Sequence, residues 1–203
     1  DAALIEPASV AFHAVRKSQL RVGDVVCVVG CGPIGLLTAQ VAKSAGAGVV
    51  IAVEPDENRR KLALATGSDI AVAPGDELRS VLDELTEGLQ ADLAFDCAGI
   101  PQTMQQSVDM VRRGGSVCLV GVTGKEAQIN PIRWISKEVT LNSSIVFTLE
   151  EMKATSKMVA DGRLLVAPLR DAVIDLDALG STIDDLAERR IDAVKILVDP
   201  SAG

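Results

Sequence analysis

Short apolar runs alternate with segments of helical period along most of the chain. Six runs have the length and composition of buried strands: Val25–Val29, Val49–Val53, Ile70–Ala73, Leu93–Cys97, Ser116–Val120 and Thr140–Ile145. Four segments between them have the apolar spacing of helices: Ile34–Ala45, Glu57–Thr66, Leu78–Thr86 and Gln102–Arg112. Pro101 suits the start of the last helix, and the sequence RRGG at 112–115 predicts its end, with cations followed by glycine.

Strands that alternate with helices in this way predict a parallel sheet with helices on both faces. A dinucleotide-binding, or Rossmann, fold has six strands in two halves, which is the number predicted here. We therefore predict an α/β protein with a doubly wound six-stranded parallel sheet in the order 3-2-1-4-5-6 and short helical flanks.

Two flanking segments do not belong to this alternation. Residues 1–21 precede the first strand and have a helical pattern from about Ser9 onward. The segment after Phe147 predicts a helix, a loop through Pro168, a second helix and a last strand, the three elements being Leu149–Ala160, Leu176–Arg190 and Val194–Val198. We predict three parts: a lead-in helix (1–21), a dinucleotide-binding domain (22–148) and a C-terminal tail (149–203). Since the chain begins at Asp1 rather than Met, we expect a piece of a longer protein.

The sequence VVCVVGCGPIG at 25–35 carries the most specific signal. Gly30 permits the tight turn out of the strand, Gly32 lets the backbone approach a pyrophosphate, and Gly35 lets the next helix pack on the sheet. The helix from about Pro33 offers unpaired N–H groups and its positive dipole end to phosphates. Glu54 follows the second strand, 19 residues after Gly35. This context predicts dinucleotide binding, whereas the glycine pattern alone is weak.

Glu54 indicates which dinucleotide is bound. A carboxylate here accepts a hydrogen bond from the ribose 2′-hydroxyl and repels a 2′-phosphate, so NAD is favoured over NADP. Arg59 and Arg60 complicate this, because an arginine here accommodates a 2′-phosphate. Alternatively, they pair with Asp56 or Glu57 on a helix surface.

Two further glycine turns follow predicted strands. One is DCAG at 96–99, with Cys97 and Ala98 at its centre, and the other is VGV at 120–122. Ligands of doubly wound sheets bind outside the carboxyl ends of the strands. We expect both turns to line the nicotinamide half of the groove, although ordinary strand-to-helix turns have the same composition.

Composition and charge exclude several classes of function. A net charge of −8 and a pI near 4.7 argue against nucleic acid as a partner. No apolar run approaches the roughly 18 residues that a membrane span needs, so we expect no membrane partner. The four cysteines, Cys27, Cys31, Cys97 and Cys118, match no zinc pattern. We expect them to be reduced core or loop residues, which is typical of a cytoplasmic protein.

Groups for proton transfer are few. The chain has no tyrosine, which excludes the Tyr-x-x-x-Lys pair of short-chain dehydrogenases, and its one histidine is His13. Histidine is a suitable general base, but on a helix it more often packs or caps. Glu6 lies seven residues before His13 and could share its helical face. We find no complete catalytic constellation in the 203 residues.

The sequence resembles the zinc-dependent medium-chain alcohol and polyol dehydrogenases, in particular the sorbitol, butanediol and threonine dehydrogenase branch. The resemblance covers the whole chain in family order: EPASVAFHAV, RVGDVVCVVGCGPIGLLTAQVAKSAGA, DCAG, GGSVCLVGV, NPIRWISKEVTLNSS and DAVKILVDP. Within the proteins of this family, the resemblance covers only the coenzyme domain and the C-terminal tail. The catalytic domain, with its Cys and His-Glu zinc ligands, would lie upstream of Asp1. In such an enzyme zinc polarises a secondary alcohol or polyol so that hydride leaves to NAD.

The resemblance also implies roles for individual residues. The coenzyme contacts would be Gly30, Gly32, Pro33, Gly35 and Lys195 at the pyrophosphate, Glu54 and Arg59 at the adenosine ribose, and Ile34, Val120, Gly121 and Val122 at the nicotinamide. Glu6, in the EP sequence, matches a glutamate that lies at the zinc, directly or through water. Subunits would join edge to edge through Thr140–Ile145, as a homodimer or homotetramer.

Three alternatives stay open at this point. The first is a zinc-free, quinone-reductase-like member of the same superfamily, which would lack the upstream zinc ligands. The second is a non-catalytic NAD-sensing module, which the missing catalytic groups favour and the tail argues against. The third is an S-adenosylmethionine methyltransferase, which the full glycine spacing and the six strands argue against.

Overall fold

The computed structural model describes residues 2–202, and within them it contains eight α-helices and eight strands. The strands are β1 (Val25–Val29), β2 (Val49–Val53), β3 (Ile70–Val72), β4 (Ala91–Asp96), β5 (Val111–Leu119), β6 (Thr140–Ser143), β7 (Ala172–Ile174) and β8 (Ile196–Val198). The helices are α1 (Ile5–Lys17), α2 (Pro33–Ser44), α3 (Glu57–Ala65), α4 (Asp76–Thr86), α5 (Pro101–Met110), α6 (Pro131–Lys137), α7 (Leu149–Ala160) and α8 (Leu179–Ala187). Short 3₁₀ turns span Ala2–Leu4 and Ala167–Leu169.

Six strands form one parallel sheet in the order β3-β2-β1-β4-β5-β6, which confirms the predicted doubly wound topology. The register aligns Val29 of β1 with Val53 of β2 on one side and with Asp96 of β4 on the other. The carboxyl ends of these three strands therefore lie at one edge of the sheet, where ligands of such folds bind.

The central strands are apolar on both faces because helices cover both. Val26 and Val28 face the cluster that includes α1, α2 and α7, whereas Cys27 and Val29 face the cluster that includes α4 and α5. This explains the unbroken apolar run of β1, which carries no alternation of polar and apolar residues.

The end of α5 departs from the prediction. The helix ends at Met110, and RRGG lies within β5 instead of closing a helix. Arg112 is turned to Asp92, with 2.6 Å between Nε and the carboxylate oxygen. The cation at the helix end is Lys137, whose Nζ donates to three main-chain carbonyls at 2.7 to 3.1 Å. A residue from a later helix thus caps α5.

The flanks also differ from the predictions in detail. Helix α1 begins at Ile5, before the expected start near Ser9, because Pro7 in the first turn is compatible with a helix. Helix α7 has the predicted bounds, and Thr148 and Glu151 form a capping box at its start. Helix α8 is shorter than predicted, and β8 pairs in parallel with the unpredicted strand β7. Helix α6 was not predicted either.

The edge strand is shorter than Thr140–Ile145. Strand β6 ends at Ser143, although the Ser144 N–H still donates to the Leu119 carbonyl at 2.9 Å. Val146 then has a φ of +54°, a left-handed conformation that lies outside the strand region.

Cys27 and Cys118 lie in strands, Cys97 directly follows β4, and Cys31 lies in the loop after β1; all four carry free thiols. Burial raises the pKa of Cys27, Cys31 and Cys118 to about 12, so these thiols stay protonated near neutral pH. No helix among residues 2–202 is long and apolar enough to cross a membrane.

Candidate functional site

The glycine loop between β1 and α2 forms the centre of the candidate site. Gly30 has a φ of +90°, and its N–H donates to the Val53 carbonyl at 2.9 Å. A Cβ on Gly35 would lie 1.8 Å from the Gly30 carbonyl oxygen, so only glycine allows α2 to start here. A Cβ on Gly32 would meet nothing within 4 Å. The backbone at Gly32 is therefore open to a ligand, at a helix start that has no side-chain cap.

Glu54 is tied to this loop. Its side chain is buried, and Oε2 accepts the Cys31 N–H at 2.7 Å while Oε1 accepts the Asp56 N–H at 3.1 Å. Each carboxylate oxygen has capacity for a further hydrogen bond. The second strand thus presents an acid directly beside the glycine loop, as the 19-residue spacing suggested.

The two arginines behind Glu54 make different contacts from those considered above. The Arg59 guanidinium pairs with Asp192 of the tail, with 2.6 Å between Nη2 and Oδ1. Arg60 donates to the main-chain carbonyls of Glu54 and Pro55 at 2.8 and 2.7 Å. Neither guanidinium pairs with the carboxylates of Asp56 or Glu57 among the contacts described for residues 2–202.

Neighbouring carboxylates stabilise the protonated form of Arg59. Burial alone lowers the pKa of Arg59, but the hydrogen bond and the charge of Asp192, together with the charges of Glu54 and Asp56, raise it overall. Asp56 also caps α3, accepting the Arg59 N–H at 2.8 Å.

The turn after β4 is organised by buried Asp96. Its carboxylate accepts N–H groups of Ala98 and Gly99 at 3.1 and 3.2 Å and the Thr103 hydroxyl at 2.8 Å. Its main-chain carbonyl accepts the N–H groups of residues 120 and 121 at 2.9 and 2.8 Å. One residue therefore links both turns that the sequence placed at the nicotinamide half.

These turns touch each other and the glycine loop. A Cβ on Gly121 would lie 2.3 Å from the Gly99 nitrogen, and a Cβ on Gly30 would lie 3.0 Å from Ala98. Val120 is buried, whereas Val122 is 82% exposed. Cys97 donates to the Thr38 hydroxyl at 3.7 Å, and burial raises its pKa. The structure thus brings the three predicted glycine turns together at one edge of the sheet.

Lys195 and Glu6 lie outside this cluster of turns. The Lys195 N–H donates to Asp171 in the tail at 2.8 Å. Glu6 is exposed in the first turn of α1. His13 faces Glu151 of α7, with 2.8 Å between Nδ1 and Oε2, so its described partner is Glu151 rather than Glu6. Residues 2–202 contain no group of three or more His, Cys, Asp or Glu side chains that could hold a metal ion.

A cavity of about 260 Å³ lies on the sheet face that α4 and α5 cover, with Val53, the residue before Glu54, in its wall. Val53, Leu78, Leu82 and Met110 give it apolar walls, and Pro74 lies in the loop after β3. Arg79, Gln90, Gln106 and Asp109 add polar and charged groups to the lining. This lining suits a heteroaromatic base, which has apolar faces and polar edges.

Sequence reasoning missed Thr103 and Asp192. Thr103 lies in α5, and nothing in the local pattern indicates that its hydroxyl reaches Asp96. Asp192 lies 133 residues from Arg59 along the chain, so no spacing rule connects them. Only the assembled fold reveals both.

Comparisons with known proteins identify the relatives of this arrangement. The family model described as zinc-binding dehydrogenase matches residues 33–161. (R,R)-butanediol dehydrogenase of Bacillus subtilis is 34% identical over 206 residues, with 98% of this chain and 57% of that protein covered. Sorbitol dehydrogenase of Halalkalibacterium halodurans is 38% identical over 146 residues, with 70% of this chain and 43% of that protein covered.

Solved structures agree with these relatives. The crystal structure of B. subtilis 2R,3R-butanediol dehydrogenase matches with a TM-score of 0.86 and 34% identity, over 98% of this chain and 57% of that one. A candidate zinc-binding dehydrogenase of Sinorhizobium meliloti 1021, solved with NADP, matches with a TM-score of 0.86 and 29% identity, over 98% of this chain and 58% of that one. The chain therefore spans about half the length of the proteins it matches.

Proposed function

The chain belongs to the zinc-binding dehydrogenase family, and we propose that it forms the coenzyme-binding part of an NAD-dependent alcohol or polyol dehydrogenase. The observation that carries this proposal is the open backbone at Gly32, between Gly30, which has a φ of +90°, and Gly35, whose neighbours leave no room for a side chain. The names of the relatives, butanediol and sorbitol dehydrogenase, support a secondary alcohol or polyol as substrate. In this role the chain binds the dinucleotide that exchanges hydride with the alcohol.

The pyrophosphate would lie at the start of α2, against Gly30, Gly32, Pro33 and Gly35. The N–H groups of this helix start supply hydrogen bonds and the positive end of the helix dipole. Lys195 would add a positive charge from the tail. The adenine would enter the cavity beside Val53, with its faces against the apolar side chains.

Glu54 and Arg59 would surround the adenosine ribose. A buried carboxylate that is already bonded to the loop can accept a 2′-hydroxyl but opposes a 2′-phosphate, so we propose NAD as the preferred coenzyme. The S. meliloti relative was solved with NADP, which makes a direct comparison of the two coenzymes necessary.

The nicotinamide would lie between the turns at 96–99 and 120–122. Cys97, Ala98, Val120, Gly121 and Val122 line this side, and Ile34 approaches from α2. Asp96 keeps the two turns in contact, because its oxygen atoms accept hydrogen bonds from residues 98, 99, 103, 120 and 121. A rigid wall here would orient the ring for hydride transfer, since positioning is the main contribution of the protein in such reactions.

Zinc does not fit the described residues by themselves, because a zinc site needs three or four ligands and residues 2–202 bring no such group together. We propose that the ligands of the longer protein lie outside these residues and that Glu6 adds one contact, directly or through water. On this view residues 1–21 lead in from the catalytic part, 22–148 bind NAD, and 149–203 pack toward the catalytic part.

We further propose that two or four copies join through the strand edge at Thr140–Ile145. Strand β6 is at the end of the sheet and pairs only with β5 in the described residues. Leu141, Ile145 and Val146 are exposed beside it at 39, 67 and 63%. An unpaired edge with apolar side chains favours pairing with a second copy. A cytoplasmic location is consistent with four free thiols.

Calorimetric titration of the protein with NADH, NADPH and S-adenosylmethionine tests the proposed function. We expect saturable binding of NADH, with a lower Kd than for NADPH and no heat of binding for S-adenosylmethionine. Tightest binding of S-adenosylmethionine, or no binding of either nicotinamide coenzyme, would overturn it.

A further inference from the structure

The ion pair between Arg59 of α3 and Asp192 of the tail bears on coenzyme choice. We propose that Asp192 is a specificity-determining residue, which favours NAD by pairing with Arg59 and so withholding that guanidinium from a 2′-phosphate. The inference rests on the proposed function, because it concerns the ribose end of the same coenzyme site.

The guanidinium of Arg59 is paired with Asp192, but not all of its N–H donors are engaged. Nη2 of Arg59 lies 2.6 Å from Oδ1 of Asp192, whose side chain is 59% exposed. The Arg59 Nε is buried and has no hydrogen-bond partner in the described residues. A guanidinium has five N–H donors, so Arg59 keeps donors that a second anion could accept. The exposed Asp192 is the partner that can be displaced.

The other charges near the ribose leave Arg59 as the cation that matters. Arg60 is committed to the main-chain carbonyls of Glu54 and Pro55. Asp56 is committed to the start of α3. The carboxylate of Glu54 is buried against the glycine loop, on the side where we place the ribose. With Asp192 present, the positive charge of Arg59 is paired, and the formal charges of Glu54, Arg59 and Asp192 sum to a negative value. Without Asp192, the formal charges of Glu54 and Arg59 cancel.

The tail is built to present Asp192 at this place. Asp171 accepts the N–H groups of Val194 and Lys195 at 2.6 and 2.8 Å, and its own N–H donates to the Lys195 carbonyl at 2.9 Å. These bonds fix the segment directly after Asp192, and β8 then pairs with β7. Exposed ion pairs contribute little to stability. The Arg59–Asp192 pair therefore contributes little to folding, although backbone bonds fix the residues that follow Asp192, and this combination suits a role in binding.

The test measures the Kd of NADH and of NADPH for the protein and for Asp192→Asn, which keeps the shape and removes the charge. We expect NADPH to bind at least about fivefold more tightly to Asp192→Asn, while the Kd of NADH changes less than about twofold. In the double variant Arg59→Gln/Asp192→Asn the gain for NADPH disappears, because the freed guanidinium is its source. Asp184→Asn on α8 makes the same charge change in the tail and is the matched control.

Asp192→Ala provides a second measurement without a polar atom at this position, and thermal melting checks that each variant is folded. An unchanged ratio of the two Kd values in both Asp192 variants, with NADH still bound, would overturn this inference and leave the proposed function intact. A gain that Asp184→Asn reproduces would also overturn it, since general charge would then be the cause. Absence of NADH and NADPH binding to the unsubstituted protein would overturn the proposed function and this inference together.

Discussion

Gly32→Ala separates binding from folding at the glycine loop. Gly32 has a φ of −70° and a ψ of −177°, which alanine adopts without strain, and the added Cβ would meet no atom within 4 Å. Alanine also has less conformational entropy than glycine in the unfolded chain, which stabilises the folded protein. We expect the free energy of unfolding to stay equal or to rise by up to about 1 kcal/mol.

The same methyl group would occupy the space where we place the pyrophosphate. Hydrogen bonds to charged groups contribute about 1.5 to 3 kcal/mol each, and a methyl group that prevents the approach would remove at least one of them. We therefore expect the Kd of NADH to rise by about 10- to 100-fold in Gly32→Ala.

Gly35→Ala is the contrasting variant. Its Cβ would lie 1.8 Å from the Gly30 carbonyl oxygen and 2.9 Å from the Gly30 carbonyl carbon, both backbone atoms. The loop or α2 must then move, and we expect a loss of about 1 to 3 kcal/mol or more in stability. Urea unfolding measures the free energies, and calorimetry measures the Kd values. NADH binding that is unchanged in a fully folded Gly32→Ala protein would refute the placement of the pyrophosphate.

Three further changes test other parts of the account. Thr103→Val removes the hydroxyl that donates to buried Asp96. We expect the free energy of unfolding to fall by about 1 to 2 kcal/mol and the affinity for NADH to fall more than the affinity for AMP. Equal losses of affinity for both ligands would contradict a local effect on the turn. Burial raises the pKa of Glu151, but the hydrogen bonds from the Thr148 N–H and His13 and the charge of His13 outweigh burial, so the pKa is lowered. The ionised form of Glu151 therefore stabilises the fold above the ordinary pKa of 4.5, and this contribution is lost as the pH falls. Glu151→Gln should be less stable than the parent near pH 7 by about 1 to 3 kcal/mol, with a difference that shrinks below about pH 4 in urea unfolding; a difference that grows in acid would contradict this sign. Leu141→Lys places a charge on the exposed edge of β6 and should convert the proposed oligomer to monomer in light scattering; an unchanged mass would exclude this edge as the interface.

The first half of the sheet follows directly from local sequence. Strand β1, the glycine loop, α2 and β2 are contiguous, so the spacing of Gly30, Gly35 and Glu54 fixes their relation before any tertiary contact is known. The predicted bounds of β1 and β2 are those of the structure. Local pattern is sufficient here because each element is apolar and a nearby glycine marks one of its ends: Gly30 after β1, Gly32 before α2 and Gly48 before β2.

Other features depend on contacts between distant parts of the chain. Helix α6 has no buried residue, so it leaves no apolar period in the sequence. The arginines of RRGG resemble a helix end, but the tertiary partner Asp92 places Arg112 in β5. The pairs Arg59–Asp192 and His13–Glu151 join residues more than 130 positions apart. Such pairs were beyond prediction because long-range contacts have no signature in local spacing.

The position of the dinucleotide is the central claim, and a crystal structure of the protein with NADH tests it most directly. We expect the pyrophosphate within hydrogen-bond distance of the N–H groups of Gly32 and Ile34, with a ribose hydroxyl on Glu54 and the nicotinamide between residues 96–99 and 120–122. NADH bound elsewhere on the chain, with the glycine loop free, would contradict the account.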